Sequence, residues 1–98
     1  MAEARVEVEF VGHFREVCGC RSLSLEVGEA SLLDLVREVL DRFGEAFGRG
    51  LGLEDGRYDG ERATVIVNGT VVEGSKLKEK TVKPGDRVVF APSLAGGG

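Results

Sequence analysis

One sustained helical stripe governs how this chain can fold. Leu32, Val36, Val39, Leu40, Phe43 and Phe47 recur on one helical face, while Asp34, Arg37, Glu38, Asp41 and Glu45 fall on the other. Ser31 with Asp34 three residues on gives the run a capping-box-like start. Gly48 and Gly50 suit its end, since glycine readily takes the conformation that closes helices. A lone amphipathic helix has no second helix to bury its stripe against, so it has to cover a sheet.

The segments around it supply that sheet. From Arg5 to Val11, Val6, Val8 and Phe10 alternate with Glu7 and Glu9, and from Arg21 to Val27, Leu23, Leu25 and Val27 alternate with Ser24 and Glu26. Between them Gly12 breaks the first strand and His13 to Val17 read as a short helical turn, so the pair forms an antiparallel hairpin with a long connection. Gly48 to Arg62 reads as a surface connection with a turn at Asp55-Gly56, anchored by Leu51, Leu53 and Tyr58. Ala63 to Val67 is almost wholly apolar, as expected of a strand buried on both sides or covered on one by a partner. Asn68-Gly69 is a hairpin signal returning the chain through Thr70 to Val72, and Pro84-Gly85-Asp86 turns it into a last strand, Arg87 to Ala91. With right-handed crossovers, the last strand comes to lie centrally beside the first. The expected class is α+β: a ubiquitin-like β-grasp, a mixed sheet of about five strands on one main helix.

Length and charge narrow what such a domain can do. Ninety-eight residues make one core, which leaves no cleft between domains. The division expected is a folded domain over 1–91 and a flexible glycine tail over 92–98. A net charge of −4 disfavours nucleic acid, and no apolar run approaches a bilayer span, so a cytoplasmic protein without membrane contact is expected. Lys76, Lys78, Lys80 and Lys83 form a local basic cluster, read as a solvated, flexible loop rather than a docking patch. Cys18 and Cys20, with only His13 nearby, cannot supply four zinc ligands and read as reduced structural thiols. No metal site and no nucleophile–base pair is expected, hence no catalysis by the chain alone.

What remains is the end of the sequence, Ala91-Pro92-Ser93-Leu94-Ala95-Gly96-Gly97-Gly98. Termini are usually poorly ordered, and glycine-rich ends are common in disordered tails. Here the glycines follow a strand that belongs in the core. A terminal glycine has no Cβ, so its carboxyl is unhindered and the segment can thread a narrow channel.

Taken in order, Phe10-Val11-Gly12-His13-Phe14-Arg15-Glu16-Val17, the long helix, Leu53-Glu54-Asp55-Gly56, Val67-Asn68-Gly69 and Pro84-Gly85-Asp86-Arg87-Val88-Val89-Phe90 before a Pro-containing glycine tail span nearly the whole chain. In that order they resemble the ubiquitin-like sulfur carriers of the MoaD/ThiS group, most of all the small subunits of molybdopterin synthase. The resemblance implies a carrier that binds no cofactor and is worked on by others. An adenylyltransferase similar to the ubiquitin-activating enzymes (MoeB-like) uses ATP to adenylate the Gly98 carboxylate, or that of Gly97 if the end is trimmed. Sulfur then displaces AMP to give a thiocarboxylate, and a molybdopterin synthase large subunit (MoaE-like) receives the tail and passes the sulfur on in molybdenum cofactor biosynthesis. Partner contacts are implied for Arg15, Pro92, Leu94, Ala95, Gly96 and Gly97, and for Phe90 if it is shared between partner surface and core, with core the preferred reading. The exposed side of the sheet is the implied docking surface.

Two features depart from that group. It typically ends in two glycines and this chain in three, and its aromatic-Pro-Pro before the tail is Ala91-Pro92-Ser93 here. A ubiquitin-like modifier conjugated to lysines, or a sulfur carrier for transfer-RNA thiolation, shares the same fold, activation chemistry and tail, and stands as the alternative.

Overall fold

The structure is a computed structural model that describes residues 5–93. Its elements run β1 (Arg5–Phe10), α1 (His13–Cys18), β2 (Ser22–Glu26), β3 (Ala30–Ser31), α2 (Leu32–Phe43), α3 (Glu45–Leu51), β4 (Ala63–Val67), β5 (Thr70–Val72), β6 (Thr81–Val82) and β7 (Arg87–Pro92). Five strands form one mixed sheet in the order β2-β1-β7-β4-β5. The last strand is central, running parallel to β1 with Phe10 opposite Phe90 and antiparallel to β4 with Val65 opposite Phe90. This is the ubiquitin-like β-grasp.

Alternation decides the two faces of the sheet. Val6, Val8, Phe10, Val65, Val88 and Phe90 point inward and are fully buried, against Leu32, Leu35, Val36 and Val39 of α2 in the same core. At the helix start, Ser31 Oγ accepts from the Asp34 backbone N–H at 3.1 Å, so the capping side chain forms as expected.

The helical stripe, however, is not carried by one helix. At Gly44 the backbone takes φ 83° and ψ −169°, a region that only glycine enters without strain, and α2 stops there. A second helix, α3, restarts at Glu45 and is closed by Gly52 at φ 64°. The break re-aims Phe47 and Leu51 into the core, where Phe47 packs edge-to-face on Phe90 with ring centroids 5.1 Å apart. Gly48 and Gly50 therefore lie inside a helix rather than ending one. At Gly50 a Cβ would stand 2.9 Å from Phe14 Cε1, so the lack of a side chain lets α3 close on α1.

The segment around the lysines is also more structured than a flexible loop. All four lysines are exposed, yet Leu77 between them is fully buried. The Leu33 N–H donates to Leu77 O at 3.1 Å and the Leu32 N–H to Lys80 O at 2.7 Å, so this segment caps the start of α2. β6 then pairs with β3 in a small second sheet. The connection after α3 carries the expected turn at Asp55-Gly56, closed by mutual Glu54 and Arg57 backbone bonds of 2.9 and 3.1 Å.

Candidate functional site

The site begins where β7 leaves the sheet. Pro92 still pairs with Ala63 of β4, and on its other side lies Gly12, the residue between β1 and α1 at the N-cap of α1. Gly12 has φ 64° and ψ −136°, and a Cβ on it would stand 2.6 Å from Pro92 Cγ. Backbone and packing both require glycine there. The adjoining Val11 N–H donates to Phe90 O at 2.9 Å, extending the β1–β7 ladder to the edge of this contact. One residue on, Ser93 Oγ donates to Gly60 O at 2.8 Å. The root of the terminal segment is thus held from both sides, by Gly12 and by the loop that leads into β4.

Beside this root lies the outer face of the sheet. Register places Val71 of β5 opposite Ile66 of β4, Ile66 opposite Val89 of β7, and Val89 opposite Glu9 of β1. A second row brings Thr64 opposite Ala91. The face therefore divides: β7, β4 and β5 present apolar side chains such as Val89, Ile66 and Val71, the last 54% exposed, while β1 and β2 present Glu7, Glu9, Glu26 and serines, with Val11 following β1 at 38% exposure. Ser24 Oγ donates to the Glu7 carboxylate at 2.9 Å on that polar half. At the β4–β5 end a groove of about 410 Å³ is bordered by Tyr58, Gly60, Ala63, Thr64 and Val71, with Glu73 and Gly74. Its floor is tied down by the Tyr58 hydroxyl, which donates to Val72 O and accepts from the Val65 N–H at 3.3 Å. Burial pushes the pKa of that phenol upward, which keeps it protonated as a donor.

Of the residues expected to meet partners, the structure brings some together and removes another. Pro92 sits at the root, partly covered. Arg15 is exposed on α1, and its backbone N–H donates to Gly12 O at 3.0 Å, which places it one turn from the Gly12–Pro92 contact. Phe90 offers nothing to a partner. It is fully buried and stacks on Phe10 with centroids 5.9 Å apart, because its position in β7 faces Phe14 of α1 and Phe47 of α3 rather than the outer face. Leu94, Ala95, Gly96, Gly97 and Gly98 lie outside the described residues. The outer-face residues Val71, Ile66 and Val89, and the bracing pair Gly12 and Gly60, were missed by sequence reasoning. Strict alternation would have found the first three, since Val65, Val67, Val88 and Phe90 take the core positions of the same strands.

Among the described residues there is no cluster of three or more His, Cys, Asp or Glu side chains. Cys18 and Cys20 are free, partly buried thiols, and burial, aided by the neighbouring Cys20, pushes the Cys18 thiol up to about 11. His13 is exposed, its ring 4.2 Å from that of Phe14. No helix among the described residues is long and apolar enough to cross a membrane.

Residues 8–97 match the ThiS family, from the middle of β1 through the glycine segment. The chain belongs to the ThiS family. This group comprises ubiquitin-like sulfur carriers, small proteins without catalytic activity of their own. Among solved structures, a putative molybdopterin converting factor subunit 1 from Pyrococcus furiosus is 25% identical, with 92% of this chain and 98% of that one covered and a TM-score of 0.71. In the BexX/CysO complex of Amycolatopsis orientalis, a matching chain is 26% identical over 93% of this chain and 98% of that one, with a TM-score of 0.69. The small archaeal modifier protein 1 of Haloferax volcanii shares the fold, at 21% identity over 93% of this chain and 99% of that one and a TM-score of 0.75. A search of curated proteins gave no match.

Proposed function

We propose that this ThiS-family chain is the small subunit of a molybdopterin synthase and donates sulfur from a thiocarboxylate at its last glycine. The observation that carries the reading is the placement of β7. The central strand of the sheet delivers its end, braced by Gly12 and Gly60, directly beside the apolar half of the outer face. A partner seated on that half has the terminal segment at its edge. The likeness to a putative molybdopterin converting factor subunit supports the assignment to molybdopterin synthesis.

The chemistry divides between carrier and partners. A carboxylate is a poor electrophile, so a MoeB-like adenylyltransferase joins it to the α-phosphate of ATP, releasing pyrophosphate. A sulfur nucleophile adds to the acyl carbon and AMP leaves with the C–O bond electrons. The carrier supplies an unhindered acyl group and its delivery. From Ser93, residues 94–98 extended at about 3.3–3.6 Å each reach roughly 17 Å into a MoaE-like large subunit. Ordering glycines there costs entropy, so the folded body has to contribute most of the affinity.

Intact-protein mass spectrometry tests the reading. After incubation with ATP, a sulfur donor and an adenylyltransferase of this type, the last residue exchanges one oxygen for sulfur, and the product together with a large subunit converts the pterin precursor. Isopeptide-linked adducts on other proteins, or sulfur passing to transfer RNA instead, would assign the chain to the alternative roles.

A further inference from the structure

The root of the terminal segment carries two contacts made by different side chains for different reasons. Pro92 is limited by a close approach: its ring fills the space that a side chain at position 12 would occupy. Ser93 is held by a directional bond, its hydroxyl donating to Gly60 O at 2.8 Å across 33 positions of sequence. The Gly60 carbonyl is itself fixed within a turn, since the Glu61 N–H donates to Asp59 Oδ1 at 2.8 Å and the Arg62 N–H to Asp59 O at 2.9 Å. The Arg62 guanidinium lies 3.7 Å from Asp59 Oδ2 in the same turn.

Together these contacts do more than end a strand. The last β7 pairing joins Pro92 to Ala63, so a chain without the serine contact would be released at residue 92. The bond from Ser93 moves the point of release one residue outward and turns it toward the β4 side, where Gly60, Ala63 and Thr64 border the groove next to Val71.

We infer that Ser93 is a positioning residue for the carboxyl-activation step, its hydroxyl latching onto Gly60 O to fix where and in which direction the reactive segment leaves the body. The inference rests on the proposed carrier reading. Ser93 touches no reacting atom; it lowers the entropy that insertion into the activating enzyme has to overcome. Ordering one freed backbone residue on insertion costs enough conformational entropy to weaken an equilibrium about tenfold. The latch is formed before insertion, so its loss raises KM for the carrier while kcat is retained.

The test compares wild type, Ser93→Ala and Ser93→Thr as full-length chains, in steady-state activation with ATP and a sulfur donor, monitored by pyrophosphate release. Ser93→Ala raises KM for the carrier about tenfold at unchanged kcat, and Ser93→Thr, which keeps the hydroxyl, restores it. In parallel, backbone 15N relaxation of the free chains reports on residue 93: its order drops in Ser93→Ala and returns in Ser93→Thr, with the rest of the domain unchanged. A wild-type chain that is activated normally while Ser93→Ala shows the same KM overturns the inference and leaves the carrier reading standing. A wild-type chain that no adenylyltransferase of this type activates overturns the carrier reading, and unchanged relaxation at residue 93 in Ser93→Ala overturns the latch independently of any enzyme.

Discussion

The side-chain amide of Asn68 donates a 2.9 Å hydrogen bond to Oδ1 of Asp86, tying the β4–β5 turn to the turn that enters β7. The arrangement is reciprocal: Asp86 Oδ2 accepts from the Lys83 N–H at 3.0 Å, and Asn68 Oδ1 accepts from the Arg87 N–H at 2.9 Å. Asn68 sits at φ 50°, which asparagine tolerates better than most residues. The bond fixes the start of the strand whose other end launches the terminal segment.

A pH dependence follows from that pair. The Asn68 amide, with the Lys83 N–H and the charges of Lys83 and Lys80, holds the Asp86 carboxyl below the usual carboxylate range against the opposing effect of its burial. A folded-state pKa below the unfolded value of about 3.9 means the stabilisation is complete above that pH and is lost as pH falls through the folded pKa. Asn68→Ala should cost about 1–3 kcal/mol near neutral pH, from two lost hydrogen bonds and a strained φ. Denaturant melts should show the gap to wild type narrowing below about pH 4, because the bond to a protonated Asp86 is weaker.

The root of the terminal segment gives a coupled pair. Gly12→Ala should destabilise by about 2 kcal/mol or more, since φ 64° with ψ −136° strains any side chain and Cβ meets Pro92 Cγ at 2.6 Å. Pro92→Ala removes the opposing ring. In a double-mutant cycle by denaturant unfolding, the two substitutions together should cost less than their sum. Strict additivity would show that the ring and Gly12 do not press on one another.

Core and outer face separate by the same logic. Phe90→Ala should cost about 3–5 kcal/mol, because the ring is fully buried among Phe10, Phe14 and Phe47. Val71→Asp should move stability by no more than about 0.5 kcal/mol, Val71 being 54% exposed on an edge strand. On the proposed function, that substitution nonetheless weakens binding to the activating enzyme, measured by calorimetry with the unmodified carrier.

These contrasts show which parts of the protein the residues announce. Period-two alternation places Val6, Val8 and Phe10 in a strand, and turn residues such as Asn68-Gly69 and Pro84-Gly85-Asp86 set the hairpin and the last strand, because both signals are local. The break at Gly44 was hidden: Phe47 continues the helical spacing of Leu40 and Phe43, and periodicity does not register a residue at which the axis turns. Phe90 reads first as core, which holds, and its expected share in a partner surface does not, since an aromatic near the end of a last strand looks alike whether it faces helix or partner. The braces at Gly12 and Gly60 depend on residues far apart in sequence, and no local pattern announces such a contact.

Thiol reactivity offers a check outside the proposed function. Burial and the adjacent Cys20 push the Cys18 thiol up to about 11, so only a small fraction is thiolate near neutral pH. Alkylation of the native chain by iodoacetamide at about pH 8 should therefore be slow at Cys18 and accelerate on unfolding, followed by peptide mass mapping. Rapid native labelling of Cys18 would contradict its packing against the core.

Truncation distinguishes a working end from an idle one. The sheet, the helices and the core described above are built from residues 5–93, so deleting Gly97 and Gly98 should leave the thermal midpoint within the range of a neutral surface change. Carrier function should nevertheless vanish. The new end, Gly96, falls about 7 Å short of the reach from Ser93 to Gly98, far beyond the displacement of about 1 Å that already costs on the order of a hundredfold in rate. Deleting Gly98 alone is the finer instrument: full thiocarboxylation of that variant would make Gly97 the reacting residue, whereas its loss assigns the chemistry to Gly98. A chain shortened by both glycines that still carried sulfur would leave the glycine end without a task, and the braces at its root as plain structure.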